Sequence, residues 1–131
     1  MSADYGMRSE FSGGLEAAEA AITEALKDVG FGILTRIDVA ETLKKKIDVD
    51  FHPFKILGAC NPKLAHRALT ANEEVGLLLP CNVTLSQTGD NETVVSIIDP
   101  NIMMQVIEHP EVAAIAQEAR DKLERALKNL E

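Results

Sequence analysis

The sequence predicts a single α+β domain over residues 1–131, in which a largely antiparallel sheet carries helices on one face. Three observations support this fold class. The chain has 131 residues, a length typical of one domain with its own core. Apolar residues recur at every second position in some segments and at spacings of three and four in others. Capping residues, glycines and prolines separate these segments along the chain.

The first half of the chain predicts three strands and two helices. Alternating apolar residues indicate strands over residues 5–11, 31–37 and 54–60. Between the first two strands, a helix ending at Gly30 carries one apolar stripe, made of Leu15, Ala18, Ile22, Leu26 and Val29. Asp38 and Glu41 have the spacing of a capping box, which predicts a short helix up to Ile47.

The second half predicts a helix, a hairpin and two further helices. Asn61 is a strong N-cap and Pro62 suits a first helical turn, so a helix is expected over residues 62–71, burying Ala65, Ala68 and Leu69. Residues 81–86 and 93–98 alternate across a turn at 88–91 and form a hairpin in which Cys81 points inward. A short helix follows over residues 102–107. Pro110 opens a last helix with an inner stripe of Val112, Ile115, Ala119, Leu123, Ala126 and Leu130.

Charge is distributed unevenly and disfavours nucleic acid as a partner. The formal net charge is −8, and an acidic chain repels the phosphate backbone and anionic membrane surfaces. Between Arg36 and Arg67, however, seven basic residues face four acidic ones. This positive region could attract a small anion, although Lys44, Lys45 and Lys46 are also explained by the C-terminal end of a short helix, where the dipole favours cations.

Four segments resemble the family catalogued as domain of unknown function 302. They are GFGILTRIDV from Gly30, LGACNPKLAHRAL from Leu57, LLLPCNVTL from Leu77 and IIDP ending at Pro100, and the resemblance extends from Tyr5 to the last helix. Membership implies a β-α-β-β-β-β-α core related to the TATA-binding-protein topology and a tendency to form homodimers. It implies no established activity. The related fold is no evidence for DNA binding, because function resides in sites.

Two Cys-Asn pairs next to prolines carry the candidate site. Cys60 precedes a helix N-terminus, where free N–H groups and the dipole can stabilise a thiolate or a small anion, with positive charge nearby. If the two strand ends meet, both pairs line one pocket. We therefore hypothesise a homodimeric binding module for a small anionic or sulfur-containing ligand; the candidate ligand-binding residues are Cys60, Asn61, Pro62, Lys63, Arg67, Cys81 and Asn82.

Two other classes of function remain open. Cys60 and Cys81 could be the nucleophile and resolving partner of a thiol-dependent redox or sulfur-transfer enzyme. Alternatively, both cysteines belong to the core of a non-catalytic interaction protein, with Ile102, Met103, Met104 and Val106 at a subunit interface. His66 could assist Cys60 as a base, but no third, orienting residue is identifiable.

Neither a metal site nor a cofactor is predicted. The three histidines lie far apart and match no metal-binding spacing, and no glycine-rich phosphate loop is present. No apolar run approaches the ~18 residues of a membrane span. The start of the chain lacks the features of a signal peptide, so we expect a cytoplasmic protein with reduced cysteines.

Overall fold

A computed structural model describes residues 5–130 of the chain. It contains five strands and four α-helices, together with 3₁₀ segments at Glu73–Leu78 and Pro100–Gln105. In chain order the elements are β1 (Gly6–Ser12), α1 (Leu15–Asp28), β2 (Gly32–Asp38), α2 (Val39–Ile47), β3 (Phe54–Cys60), α3 (Pro62–Ala71), β4 (Cys81–Gly89), β5 (Glu92–Ile98) and α4 (Pro110–Lys128).

The five strands form one antiparallel sheet in the order β1-β5-β4-β3-β2. Strands β1 and β2 therefore occupy opposite edges, and α1 crosses the sheet to connect them. This arrangement confirms the predicted α+β class and the β-α-β-β-β-β-α core. The single-domain prediction also covers residues 1–4 and 131, which lie outside the described residues. None of the described helices is long and apolar enough to span a membrane.

Apolar residues at every second position of the strands form the packed inner face of the sheet. Leu57 lies opposite Val83, and Val83 lies opposite Ile97, so three fully buried side chains form a row across adjacent strands. The buried sides of α1 and α4 belong to the same hydrophobic core. At the far end of this face, the hydroxyl of buried Thr93 donates to the Gly13 carbonyl at 2.9 Å, which satisfies its hydrogen-bonding need.

Helix starts follow the capping signals in the sequence. Helix α1 follows Gly14, which has no side chain to cap it. At four other starts a side chain before the first turn accepts a hydrogen bond from a backbone N–H group that has no helical partner. The acceptors are Asp38, Asn61, Asp99 and His109, and the donors are the backbone N–H groups of Glu41, Leu64, Asn101 and Glu111, respectively.

Two local predictions needed correction. Helix α3 buries Leu64 and Ala68, while Leu69 is 38% exposed, because a spacing of four places residues 64 and 68 on the face that packs towards α4. The expected short helix over residues 102–107 is instead a 3₁₀ segment, Pro100–Gln105, that begins at the proline. Its Asp99 cap and Pro100 fix the start, whereas no sequence signal distinguished the tighter turn.

A largely buried carboxylate, Glu19, forms ion pairs that join α1 to strands β2 and β3. The Glu19 carboxylate accepts from Lys55 Nζ at 2.7 Å and from Arg36 Nε at 2.8 Å. The Glu19 and Lys55 side chains are only 16% and 22% exposed. The hydrogen bond from Lys55 lowers the pKa of Glu19 below its ordinary value of 4.5, aided by Arg36 and opposed by burial, and Glu19 in turn raises the pKa of Lys55.

Glu19→Gln should therefore destabilise the protein in a pH-dependent way. A carboxylate with a depressed folded-state pKa stabilises the fold above about pH 4.5, and this contribution is lost as pH falls through the folded-state pKa. We expect a loss of about 1–3 kcal/mol in the free energy of unfolding at pH 7. Urea titrations at pH 7 and pH 3 measure it. Glu24→Gln, at an exposed position of the same helix, should change little, and equal losses for both variants at pH 7 would contradict the assignment.

Candidate functional site

The structure brings the two Cys-Asn motifs to one end of the β3–β4 pair. Cys60 is the last residue of β3, and Cys81 is the first residue of β4. Since the strands are antiparallel, the end of one lies beside the start of the other, and Ala59 is directly opposite Cys81. Asn61 then begins α3 as its N-cap. The two strand ends therefore meet, which was the condition for a shared site.

A small cavity of about 30 Å³ lies at this meeting point. Its walls come from β3, α3, β4, the second 3₁₀ segment and α4, and they are almost entirely apolar. Three sulfur-containing residues take part in the lining, namely Cys60, Cys81 and Met103. The volume is enough for a ligand of a few non-hydrogen atoms, because one water needs about 10–15 Å³ by a comparable measure.

Both cysteines are free, and both are harder to ionise than an ordinary thiol. Burial raises the pKa of the half-buried Cys60. Burial, together with the negative charge of a Cys60 thiolate, raises the pKa of Cys81 to about 11. The site therefore presents two neutral thiols at neutral pH, which differs from the low-pKa thiolate that reactive cysteines have.

The helix N-terminus beside Cys60 is already occupied by its own cap. Asn61 Oδ1 accepts from the Leu64 N–H at 3.2 Å, and Pro62 at the next position has no N–H to offer. The cap thus engages one of the N–H groups that would hold an anion at this helix end, and the proline removes another. Pro62 itself is exposed.

The two basic residues of the predicted site, Lys63 and Arg67, lie away from the cavity. Arg67 is exposed and pairs with α4, since its Nη1 is 3.0 Å from Glu118 Oε1 and its Nη2 is 3.8 Å from Glu111 Oε1. Lys63 is exposed on the first turn of α3 and does not line the cavity. The cavity consequently has an apolar, uncharged environment.

Asn82 is separated from the other candidate residues by the sheet itself. It lies opposite Gly58, one position beyond the Ala59–Cys81 pair, so its side chain emerges on the outer face. There it is exposed and borders a different groove. Cys60, Asn61 and Cys81 thus border the cavity, and Asn82 lies elsewhere. Within β3, alternation gives Cys60 the same direction as Gly58, so Cys60 borders the cavity at the strand end while Cys81 faces it from the inner side of the sheet.

Several cavity residues had no functional signal in the sequence. Met103 and Ile115 were expected as interface or core residues, and Phe31 as part of a strand, yet all three line the cavity. Their approach to Cys60 depends on packing between elements distant in sequence.

The three histidines lie outside the cavity lining. His52 Nε2 lies 3.0 Å from Ser86 Oγ, His66 is exposed, and His109 caps α4. Within residues 5–130, no three His, Cys, Asp or Glu side chains converge on a possible metal position.

A family model identifies the protein family of the chain. The family model described as "Domain of unknown function DUF302" matches residues 5–130. The chain belongs to this family. A DUF302 relative of known structure, described as an uncharacterized conserved protein from Bacillus stearothermophilus, is 30% identical. The match covers 98% of this chain and 100% of that one, with a TM-score of 0.89. No curated protein matches the chain. The resemblance inferred from the sequence is confirmed, and the function of this DUF302 protein remains unknown.

Cysteine alkylation tests the electrostatic description of the cavity. A shift of the Cys81 pKa from 9 to about 11 lowers its thiolate fraction about 100-fold at pH 8. We expect iodoacetamide to modify Cys60 slowly and Cys81 at least 100-fold more slowly than in the urea-unfolded chain, as measured by peptide mapping. Unfolding should equalise the two rates. A native Cys81 rate within tenfold of the unfolded rate would contradict the account.

Proposed function

We propose that this DUF302 protein is a homodimeric, non-catalytic binding module whose cavity takes a small, uncharged, sulfur-containing ligand. The observation that carries the proposal is the apolar cavity lined by Cys60, Cys81 and Met103. Sulfur is polarizable and makes favourable contacts in apolar surroundings, whereas transfer of an unpaired charge into them is costly. Of the two ligand types expected from the sequence, the geometry favours the sulfur-containing one over the anionic one.

The thiol chemistry of the site supports binding over catalysis. A nucleophilic cysteine acts as a thiolate, and the pKa of each thiol is raised here by burial. None of the described residues that line the cavity has a basic side chain to take a proton from either thiol. The binding module is therefore better supported than the thiol-dependent enzyme.

A methyl-NMR titration tests the ligand class directly. Dimethyl sulfide is a neutral probe of three non-hydrogen atoms, propane has the same shape without sulfur, and thiosulfate is a sulfur-containing anion. We expect dimethyl sulfide to shift the methyl signals of Leu64 and Ile115 saturably, because both residues line the cavity. Propane should bind more weakly, and thiosulfate should leave these signals unchanged.

Two alanine variants supply the matched control. Ala65 is half-buried in the cavity wall, while Ala114 is exposed in the interior of α4. Ala65→Val should weaken dimethyl sulfide binding at least about fivefold by filling space, and Ala114→Val should not, although both changes add the same two methyl groups to a helix. Equal binding of propane and dimethyl sulfide, or a saturable thiosulfate shift at the cavity, would contradict the proposed ligand class.

The exposed edge of the sheet supports the homodimer. Five of the seven residues of β2 are exposed, and the strand has no partner on its outer side within the described chain. Leu34 is 67% exposed and Ile37 is 47% exposed on this edge strand. An exposed edge with large apolar side chains is a template for pairing with another chain, and a second copy would cover it.

Sedimentation equilibrium of two leucine variants tests the dimer and its location. Leu34→Glu places a charge on the β2 edge and should shift the protein to monomer at micromolar concentration. Leu77→Glu introduces the same charge at a position that is 81% exposed in the first 3₁₀ segment and should leave the dimer intact. A monomeric wild-type protein, or an equal effect of both variants, would exclude an interface at this edge.

The proposal includes no nucleic-acid partner. Most of the positive region is paired with acidic side chains, so it offers little free charge to a phosphate backbone. The pairs are Arg36 and Lys55 with Glu19, Lys44 with Asp48 and Asp50, Lys45 with Glu41, and Arg67 with Glu118.

A cytoplasmic location also belongs to the proposal. It is supported by Cys60 and Cys81, which border one cavity as free thiols. Free thiols persist in a reducing compartment, whereas an oxidising one favours disulfides.

A further inference from the structure

The outer face of the sheet carries a row of polar side chains. Arg8 on β1 lies opposite Ser96 on β5, and Ser96 lies opposite Thr84 on β4. Directly opposed residues of antiparallel strands have their Cβ atoms about 5 Å apart on the same face. The register therefore places one guanidinium and two hydroxyl groups in a line across three strands.

These side chains border a groove of about 200 Å³. Asn82 lies two positions before Thr84 on β4 and adds an amide on the same side of the groove. Tyr5 and Ile98 contribute an apolar wall.

The hydrogen-bonding groups of this groove have no protein partners. Within residues 5–130, the side chains of Arg8, Asn82, Thr84 and Ser96 form no hydrogen bond, and Arg8 takes part in no ion pair. The guanidinium carbon instead lies 5.8 Å from the centroid of the Tyr5 ring, a stacking contact that orients Arg8 and leaves its donors free.

We propose that this groove binds a small hydroxylated monocarboxylate. A carboxylate matches the planar donors of the Arg8 guanidinium and can accept two parallel hydrogen bonds from it. Among the described residues, the groove lining contains a single cation, Arg8, so its charge suits a monoanion better than a phosphate dianion. Ser96, Thr84 and Asn82 both donate and accept hydrogen bonds and would pair with ligand hydroxyl groups. The ligand's carbon atoms would lie against Ile98 and Tyr5.

This groove is independent of the sulfur-lined cavity. The two lie on opposite faces of the sheet, with Asn82 on the outer side and its chain neighbour Cys81 on the inner side. Occupation of one does not require the other. Failure of the dimethyl sulfide experiment would therefore leave the groove unaffected, and the converse also holds.

An amide-NMR titration with glycerate tests the proposal on the full chain. Glycerate carries one carboxylate and two hydroxyl groups on three carbons. We expect saturable shifts of the backbone amides of Arg8, Thr84 and Ser96, and none at Ile115 on the other side of the sheet. Propanoate, which lacks the hydroxyls, should bind more weakly, and glycerol, which lacks the charge, should not bind measurably. Inorganic phosphate should bind more weakly than glycerate.

Three variants test which side chains of the groove contact glycerate. Arg8→Gln should weaken glycerate binding at least about tenfold, since a charge-assisted bidentate pair is lost. Arg125→Gln removes the same charge from an exposed position on α4 and should have no effect. Thr84→Val keeps the side-chain shape, so a several-fold loss with an unchanged urea midpoint would identify the hydroxyl as a ligand contact.

The proposal would be overturned by any of three results. The first is glycerol binding as strongly as glycerate, which would make the carboxylate irrelevant. The second is an equal effect of Arg8→Gln and Arg125→Gln, which would indicate attraction by overall charge. The third is the absence of saturable shifts at Arg8, Thr84 and Ser96 up to tens of millimolar glycerate in the folded wild-type protein.

Discussion

The register between β3 and β4 is the constraint on which both candidate sites depend. Ala59 lies opposite Cys81 and Gly58 lies opposite Asn82, so consecutive residues of β4 face opposite sides of the sheet. A slip of one residue would exchange the two faces, placing an amide in the core and a thiol in solvent. The next pair along the inner face opposes such a slip, because Leu57 and Val83 lie opposite each other and are fully buried.

This alternation separates two kinds of chemistry that the sequence places side by side. On the inner face, burial keeps the thiols neutral and surrounds them with apolar side chains, which suits a small uncharged ligand. On the outer face, Arg8 and the polar row beside Asn82 remain available to a charged one. The anion chemistry expected near Cys60 thus finds better support across the sheet, because Asn61 and Arg67 are already engaged near the helix end.

Much of the fold was predictable because its signals are local. The Asn61-Pro62 pair predicts the start of α3, and alternation predicts β3 from Phe54 to Cys60 as the structure has it. The meeting of the β3 end with the β4 start was only a condition of the sequence hypothesis, and the register meets it. The remaining features depend on long-range contacts: Met103 reaches the cavity only through packing, and Arg8 acquires its role from Ser96, its partner across the strands. No periodicity within one segment encodes such a pairing.

Nuclear Overhauser contacts of Cys81 and Asn82 show whether these consecutive side chains lie on opposite faces of the sheet. In the isotope-labelled wild-type protein, the Cys81 β-protons should show contacts with Ala119 and Leu64 methyl groups, which share the inner cavity. The side-chain amide of Asn82 should instead show contacts with Ile98 or Ser96 across the outer groove. Contacts from the Asn82 amide to Leu64 or Ala119 would contradict the account, because they would place both residues of the motif in one site.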